Sequence, residues 1–285
     1  MPGSILLTGA DGFTGRHFTE AARAQGQEVI ALRSGLTDAP GLLTELADLQ
    51  FDYVVHMAAI SAVTHDSLAE FYSVNLFGTL NLLAAVAASK AQPSKIILAR
   101  SANVYGNAPV SPIDESFCPA PVNHYAMSKL AMEHMACTQF SDLPLLVVRP
   151  FNYTGVGHDQ RFVIPKILDH FLRRAPEIEL GNMDVEREFN DVRTVCQVYL
   201  DLLERGQAGE AYNICSGRTY SLNKVISLFR ELTGQDMVTR VNPAFVRANE
   251  VHSLSGNPAK LEASVGTLKH PSLEETLQWM LDAGI

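Results

Sequence analysis

The chain lacks several features that mark large protein classes. Its four cysteines, Cys118, Cys137, Cys196 and Cys215, never take Cys-x-x-Cys spacing, so reduced thiols serving as small apolar residues are expected. Nine histidines are scattered without ligand spacing; His124 and His134, ten apart, match no zinc pattern, and no metal is assigned. Positive charge is in deficit: 22 Lys and Arg stand against 31 Asp and Glu, a net charge of -9. That balance argues against nucleic acid or an anionic membrane as the main partner. The first nine residues carry no charged leader region or cleavage site, and no apolar run reads as approaching the ~20 residues of a membrane span. No internal repeat, low-complexity tract or flexible linker stands out. A cytoplasmic location is expected.

What is present suits a packed chain. The 285 residues are 47% hydrophobic, with glycine and proline well spread, enough for one large or two modest domains. In the first half short apolar runs alternate with longer helical patterns, the mark of βαβ units. Strands are expected over 4–7, 28–32, 53–57, 95–99 and 145–148, and helices over 14–25, 42–49, 71–89 and 125–140. Residues 34–38 are expected to hold an abbreviated extra strand, and Arg149-Pro150 to stop the last one. An uninterrupted run such as Leu145-Leu146-Val147-Val148 suits a sheet covered on both faces. The fold class is therefore α/β, a doubly wound parallel sheet of Rossmann type with a smaller C-terminal α/β domain. Residues 1–151 are read as the NAD(P)-binding domain and 152–285 mainly as the substrate-binding domain, with about 186–205 returning to the first.

Thr8 to Gly15 follows a strand and opens a helix, the setting that a phosphate-binding loop requires. Gly9, Gly12 and Gly15 form G-x-x-G-x-x-G, in which glycine allows a tight turn and a close approach of backbone to pyrophosphate. The residue that closes the second strand reads the adenosine ribose. An acid there favours NAD and an arginine favours a 2′-phosphate; here Arg33 and Ser34 stand without an adjacent acid. NADP is the expected cofactor, with NAD as the alternative.

Tyr125 and Lys129 are four apart on an expected helix, so they share a face. A free phenol with a pKa near ~10 is a poor acid-base group at neutral pH, and a shift of about three units corresponds to ~4 kcal/mol. A neighbouring ammonium is expected to favour the phenolate. Tyr125 can then give a proton to the alkoxide formed when hydride reaches a carbonyl, while Ser101, just past a strand end, holds the carbonyl oxygen.

With these residues in place, the chain resembles the extended short-chain dehydrogenase/reductases of nucleotide-sugar type. The likeness covers nearly all of it and rests on Thr8–Gly15, His56–Ala59, Asn75–Thr79, Ser101–Gly106, Tyr125–Lys129, Arg149–Asn152 and Ala211–Ile214. Within that family it is most similar to GDP-4-keto-6-deoxy-D-mannose reductases, through Phe162–Lys166, Val185–Arg193 and Arg247–Val251. The resemblance implies that Ser101, Tyr125 and Lys129 are the catalytic triad, with Lys129 also on the nicotinamide ribose. It implies that Gly9, Gly12, Phe13 and Gly15 bind pyrophosphate and that Ala58 flanks the cofactor. Asn152 is implied to touch substrate, Arg187 and Arg247 to grip its diphosphate, and Glu250 to meet the nucleotide ribose. Lys166 suits a phosphate or a plain first helical turn equally. Dehydratases of the family need an acid beside the catalytic hydroxyl; Ala102 and Asn103 supply none. The implied activity is NADPH-dependent reduction of the C4 ketone of a GDP-4-keto-6-deoxyhexose. A UDP- or dTDP-sugar 4-epimerase that retains NAD, or a non-catalytic cofactor-binding protein, are the alternatives. Family members commonly dimerise through a four-helix bundle, and Met127, Leu130 and Met135 offer a face for such a homodimer.

Overall fold

Uninterrupted apolar runs become strands because one sheet receives them between two helical layers. The computed structural model describes residues 3–61, 67–246 and 252–284. In chain order the first part runs β1 (Ser4–Thr8), α1 (Phe13–Ala24), β2 (Glu28–Ala31), α2 (Ala39–Leu46) and β3 (Tyr53–His56). It continues through α3 (Leu68–Glu70), a π-helical segment (Phe71–Gly78), α4 (Thr79–Ala88), β4 (Lys95–Ala99), α5 (His124–Gln139) and β5 (Leu145–Pro150). Then follow β6 (Tyr153–Thr154), α6 (Val163–Leu172), β7 (Glu177–Leu180), β8 (Glu186–Arg187), β9 (Asn190–Asp191), α7 (Val192–Arg205) and β10 (Ala211–Ile214). The last elements are β11 (Tyr220–Ser221), α8 (Leu222–Thr233), β12 (Val238–Val241), β13 (Ser253–Leu254), α9 (Ala259–Val265) and α10 (Leu273–Ala283).

Six strands pair in the order β10-β5-β4-β3-β1-β2, and every pairing in this sheet is parallel. The period of two along β1 sends Ile5 and Leu7 into one core with Phe18, Val195 and Val198. Leu6 enters the other, with Leu42, Leu82, Leu83 and Met132. The sheet is therefore a doubly wound parallel sheet. Its strand order reverses between β1 and β3, which opens a crevice beyond their carboxyl ends, where such sheets bind ligands. A third core joins α6, α8 and α10 through Ile167, Phe171, Phe229 and Leu277. Above it lie small sheets ordered β11-β8-β13, β12-β7 and β6-β9.

Three local expectations are corrected. Residues 34–38 form no strand: Asp38 donates its backbone N–H to Gly35 and caps α2 by accepting from Gly41, so the chain goes from β2 by a turn straight into a helix. Arg149-Pro150 does not end β5 early. Both residues stay in register with β10, and proline is tolerated because it stands at the last position. The continuous helix Leu68–Ala88 is 21 residues long and apolar enough to cross a membrane by length and composition, contrary to the sequence reading. Leu82, Leu83 and Val86 of this helix are buried in the sheet's core, which accounts for much of that apolarity.

Candidate active site and cofactor cleft

The crevice begins at the turn after β1. Gly9 has φ +75°, and a Cβ there would stand 2.9 Å from the backbone nitrogen of Ala58; only glycine combines that conformation with that approach. A Cβ at Gly15 would run into the Gly9 carbonyl oxygen, so α1 packs against the turn with no side chain between them. Gly12 is the N-cap of α1; no side chain caps the helix, and its first turn holds no acid. The amide donors and positive end of the helix are thus left for an anion, which fits a dinucleotide pyrophosphate. Phe13 turns its ring away into a stack with His158 (centroids 4.4 Å) and Tyr153 (6.1 Å), so its backbone is the part available to a phosphate.

A cavity of about 260 Å³ continues from this turn, lined by Gly9, Leu32, Ser34, Leu36, Ala58 and Val74 among others. Its apolar walls suit the flat adenosine end of a dinucleotide. Arg33 is exposed beside it. The Glu45 carboxylate accepts from the backbone N–H groups of Arg33 (2.9 Å) and Ser34 (2.7 Å). Burial works to raise the Glu45 pKa, but the Ser34 and Arg33 hydrogen bonds prevail and lower it.

A buried chain of hydrogen bonds supports the cleft from beneath. The Thr79 hydroxyl donates to the Asn75 carbonyl (2.8 Å), so it accepts from His56 Nε2 (2.7 Å). His56 Nδ1 then accepts from the Thr8 hydroxyl (2.7 Å), whose oxygen takes the Ala58 N–H (3.1 Å). This pattern fixes His56 as the neutral Nε2–H tautomer, and burial, then the Lys129 charge, hold its pKa down at about 3. Asn75, in the π-helical segment, accepts from Ile60 N–H and donates to Ile60 C=O and the Ser128 hydroxyl. Sequence reading singled out neither His56 nor Asn75 as a site residue. Their signal lay in the His56–Ala59 and Asn75–Thr79 stretches, whose partners only the fold brings together.

Ser101 and Tyr125 meet at the end of β4. Ser101 caps a 3₁₀ turn, Ala102–Tyr105, by accepting from Asn103 N–H, and its side chain lies near enough to the Tyr125 phenol to favour the phenolate. Lys129, buried one turn along α5, donates to the Ala99 carbonyl at 2.8 Å. Burial raises the Tyr125 pKa, while the nearby Ser101 side chain and the charge of Arg100 oppose it. Burial, then Arg100, lowers Lys129 to about 7. The expectation that a neighbouring ammonium favours the phenolate is corrected here: burial of the phenol prevails, and the cation that opposes it is Arg100 rather than Lys129.

A charge network stands behind this pair. Arg100 and Arg149 both bind Glu133: Arg100 Nη1 contacts Oε2, and Arg149 Nη2 donates to Oε1 at 2.8 Å. Arg149 also donates to Tyr105 Oη (2.8 Å) and lies over that ring, and Tyr105 donates to Asn213 Oδ1. None of Arg100, Glu133 or Arg149 was singled out as a site residue.

The second half places the remaining expected residues more loosely. Asn152 is exposed, and its carbonyl accepts from Asn190. Arg187 lies in β8 between β11 and β13 and donates to the Glu186 and His252 carbonyls. Lys166 donates to the Glu179 carbonyl and sits 4.7 Å over the exposed Phe245 ring. Arg247 and Glu250 lie outside the described residues. Glu188, which sequence reading passed over, is buried and ties Asn190, Ser216 and Gly256 together; burial raises its pKa despite those bonds.

Comparison with known proteins agrees with this geometry. Residues 5–215 match the family model described as NAD dependent epimerase/dehydratase family. The chain is 32% identical over 262 residues to a GDP-6-deoxy-D-talose 4-dehydrogenase from Aggregatibacter actinomycetemcomitans, covering 90% of this chain and 89% of that one. It is 33% identical over 298 residues to a GDP-6-deoxy-D-mannose reductase from Pseudomonas aeruginosa, covering 99% and 97%. Among solved structures, RMD from Pseudomonas aeruginosa complexed with NADPH superposes with a TM-score of 0.89 at 30% identity, over 99% of this chain and 97% of that one. With the glycine turn at the switch point of its sheet and Ser101, Tyr125 and Lys129 grouped near the end of β4, the chain belongs to the NAD dependent epimerase/dehydratase family, the extended short-chain dehydrogenase/reductases.

Proposed function

We propose that the protein reduces the C4 ketone of a GDP-4-keto-6-deoxyhexose with NADPH, giving GDP-rhamnose or GDP-6-deoxytalose. At the coarser level it is an NAD(P)-dependent sugar-modifying enzyme. The observation that carries the reading is the grouping of Ser101, buried Tyr125 and buried Lys129, the last held by the Ala99 carbonyl at the end of β4, in a sheet whose switch-point crevice suits a dinucleotide. The bound nicotinamide supplies the hydride. The chain's own residues do the rest. Ser101 orients the carbonyl oxygen and Tyr125 protonates it as it becomes an alkoxide. Lys129, fixed by the Ala99 carbonyl, would bind the nicotinamide ribose. Ala102 and Asn103, neither an acid, favour reduction over dehydration. The two GDP-6-deoxyhexose relatives support GDP as the nucleotide. Arg187 and Arg247 are the proposed diphosphate clamp, with Asn152, Lys166 and Glu250 as further substrate contacts. Arginine suits a diphosphate through its bidentate fork. Arg33, at the ribose end of the cavity, supports NADPH.

Supplying GDP-, UDP- and dTDP-4-keto-6-deoxy sugars with NADPH tests this. Stoichiometric oxidation of NADPH by the GDP sugar alone is expected, and NMR of the product gives its C4 configuration. Interconversion of a UDP- or dTDP-sugar at C4 without net NADPH consumption would replace it with the epimerase reading. A homodimer is part of the proposal. Phe77 (58% exposed) and Met127 (43%) present apolar surface from the π-helical segment and α5. Light scattering is expected to give twice the 31.1 kDa chain mass.

A further inference from the structure

Arg100 does more than join a strand to a helix. It occupies the position between Ala99, whose carbonyl receives Lys129, and Ser101, which caps the 3₁₀ turn near Tyr125. Its side chain is 0% exposed and reaches Glu133 on α5. Tyr125, Lys129 and Glu133 follow one another at i, i+4 and i+8, so they form one row down a single helix face. The Arg100 charge is therefore anchored on the same helix face as Tyr125 and Lys129, about two turns from Tyr125.

The charge count there is uneven. Glu133 already takes a hydrogen bond from Arg149, which also binds Tyr105 and the Glu115 carbonyl. Arg149 by itself would serve as a clamp between β5 and α5. Adding Arg100 puts two guanidinium groups on one carboxylate; Arg100 meets Glu133 Oε2 as an ion pair, and none of its three guanidinium nitrogens has a hydrogen-bond partner among the described residues. Excess buried positive charge costs stability. A purely structural clamp has no need of it, whereas a centre that must carry an oxyanion does.

We propose that Arg100 is a positioning residue of the proton-transfer machinery, whose buried charge, held by Glu133, biases Tyr125 towards its anion. This rests on the reading of Tyr125 as the proton donor. Burial, then Arg149, brings Arg100 down to about 9, which leaves it cationic at neutral pH, where Lys129 is near its midpoint. Other groups face Tyr125 or its partners. On α5 they are Lys129, Glu133 and Cys137, and from β5 Arg149. Tyr105, Tyr153 and Tyr199 approach from the 3₁₀ turn, β6 and α7, Glu115 from the loop before α5, and His56 from β3. Among them the arginines and Lys129 are the cations, and Glu133 is the anion directly bound to Arg100.

The test uses the oxidative direction, GDP-6-deoxytalose or GDP-rhamnose with NADP⁺, where rate rises with pH as Tyr125 ionises. Arg100→Gln is expected to move that limb to higher pH, lowering the rate on it roughly tenfold for each unit moved, with the cofactor's KM unchanged. Glu133→Gln is expected to move it to lower pH and raise the rate there, and Arg100→Lys to restore it. Opposite displacements by the two glutamine variants support the proposal. Displacements of the same sign, or a lowered Tm with an unmoved limb, overturn it. Should Arg100→Gln not fold, the direction in Glu133→Gln decides alone, an unmoved or raised limb being the adverse result. Turnover retained in Tyr125→Phe would instead remove the reading beneath it.

Discussion

At the scale of single residues, the phenol of Tyr125 has the narrowest task. In the proposed reaction it gives its proton as the ketone oxygen becomes an alkoxide, and Ser101 favours its anion. Tyr125→Phe removes one oxygen from a buried ring and is expected to lower kcat by about two to four orders of magnitude. Cofactor affinity should stay within a few-fold, as a fluorescence titration with NADPH would measure. Arg33 is the corresponding residue for the other end of the cofactor. Because Glu45 already takes the backbone N–H groups of Arg33 and Ser34, a 2′-phosphate is left with side chains, Arg33 foremost. Arg33→Ala should therefore lower kcat/KM for NADPH by about tenfold, the scale of one charged hydrogen bond, and leave NADH nearly unchanged; steady-state kinetics with both cofactors check this. The grouping of Ser101, Tyr125 and Lys129 was legible in the sequence because two of them share a helical spacing and the third lies just past a strand end. Arg100 and Glu133 were not. Their pairing depends on how β4 lies against α5, and an arginine beside a catalytic serine has no local signature.

Elements show a similar division. The strands of the first half could be read because each is a short apolar run between turn residues, and parallel pairing buries both faces. The π-helical segment Phe71–Gly78 could not, since its apolar pattern is that of any buried helix. Its geometry matters for the cleft. Asn75 holds Ile60, and Gly78 lies so close to the loop after β2 that a Cβ would stand 2.7 Å from Leu36 Cβ. Leu36 lines the adenosine cavity. A larger residue at position 78 must push that loop into the space meant for the cofactor. Gly78→Val is expected to raise the Kd for NADPH and the cofactor's KM several-fold and to cost about 1–3 kcal/mol of stability, with kcat changed less than KM. Calorimetric titration and denaturant unfolding would separate the two effects; an unaltered Kd would mean that the loop relaxes away from the cavity instead. The strand expected over residues 34–38 failed for the same local reason. Those residues serve as a turn, a helix cap and a wall of the cavity, and turn residues such as Gly35 and Asp38 were the signal for it.

For the molecule as a whole, buried neutral histidines link the cleft to acid stability. His56 sits in the hydrogen-bonded chain under the crevice, with burial first and Lys129 second holding its pKa at about 3. His158 is stacked between Phe13 and Phe162, and burial holds it at about 4 although Asp159 pulls upward. In the unfolded chain both imidazoles titrate near ~6.5. As pH falls below that value the unfolded state takes up protons that the folded state refuses, so the folded state loses ground. The stabilisation from both groups is complete above ~6.5 and declines as pH drops towards the folded values. Between pH 6.5 and 5 each can cost up to about 2 kcal/mol, a large share of an ordinary folding free energy of roughly 5–15 kcal/mol. Urea unfolding at pH 7 and at pH 5 should therefore show a lower midpoint in acid. His158→Phe keeps an aromatic ring between Phe13 and Phe162 and removes one of the two titrating groups, so the loss between the two pH values should shrink by up to half. An unchanged loss in that variant would place the acid sensitivity elsewhere, with His56 as the next position to replace. The same experiment bears on the proposed cofactor binding, since Phe13 opens α1 directly after the glycine turn and its ring is held in the stack with His158. Bound NADPH should raise the midpoint at both pH values by mass action, and more of the acid-induced loss should be recovered in the parent protein than in His158→Phe only if protonation of that ring also loosens the turn.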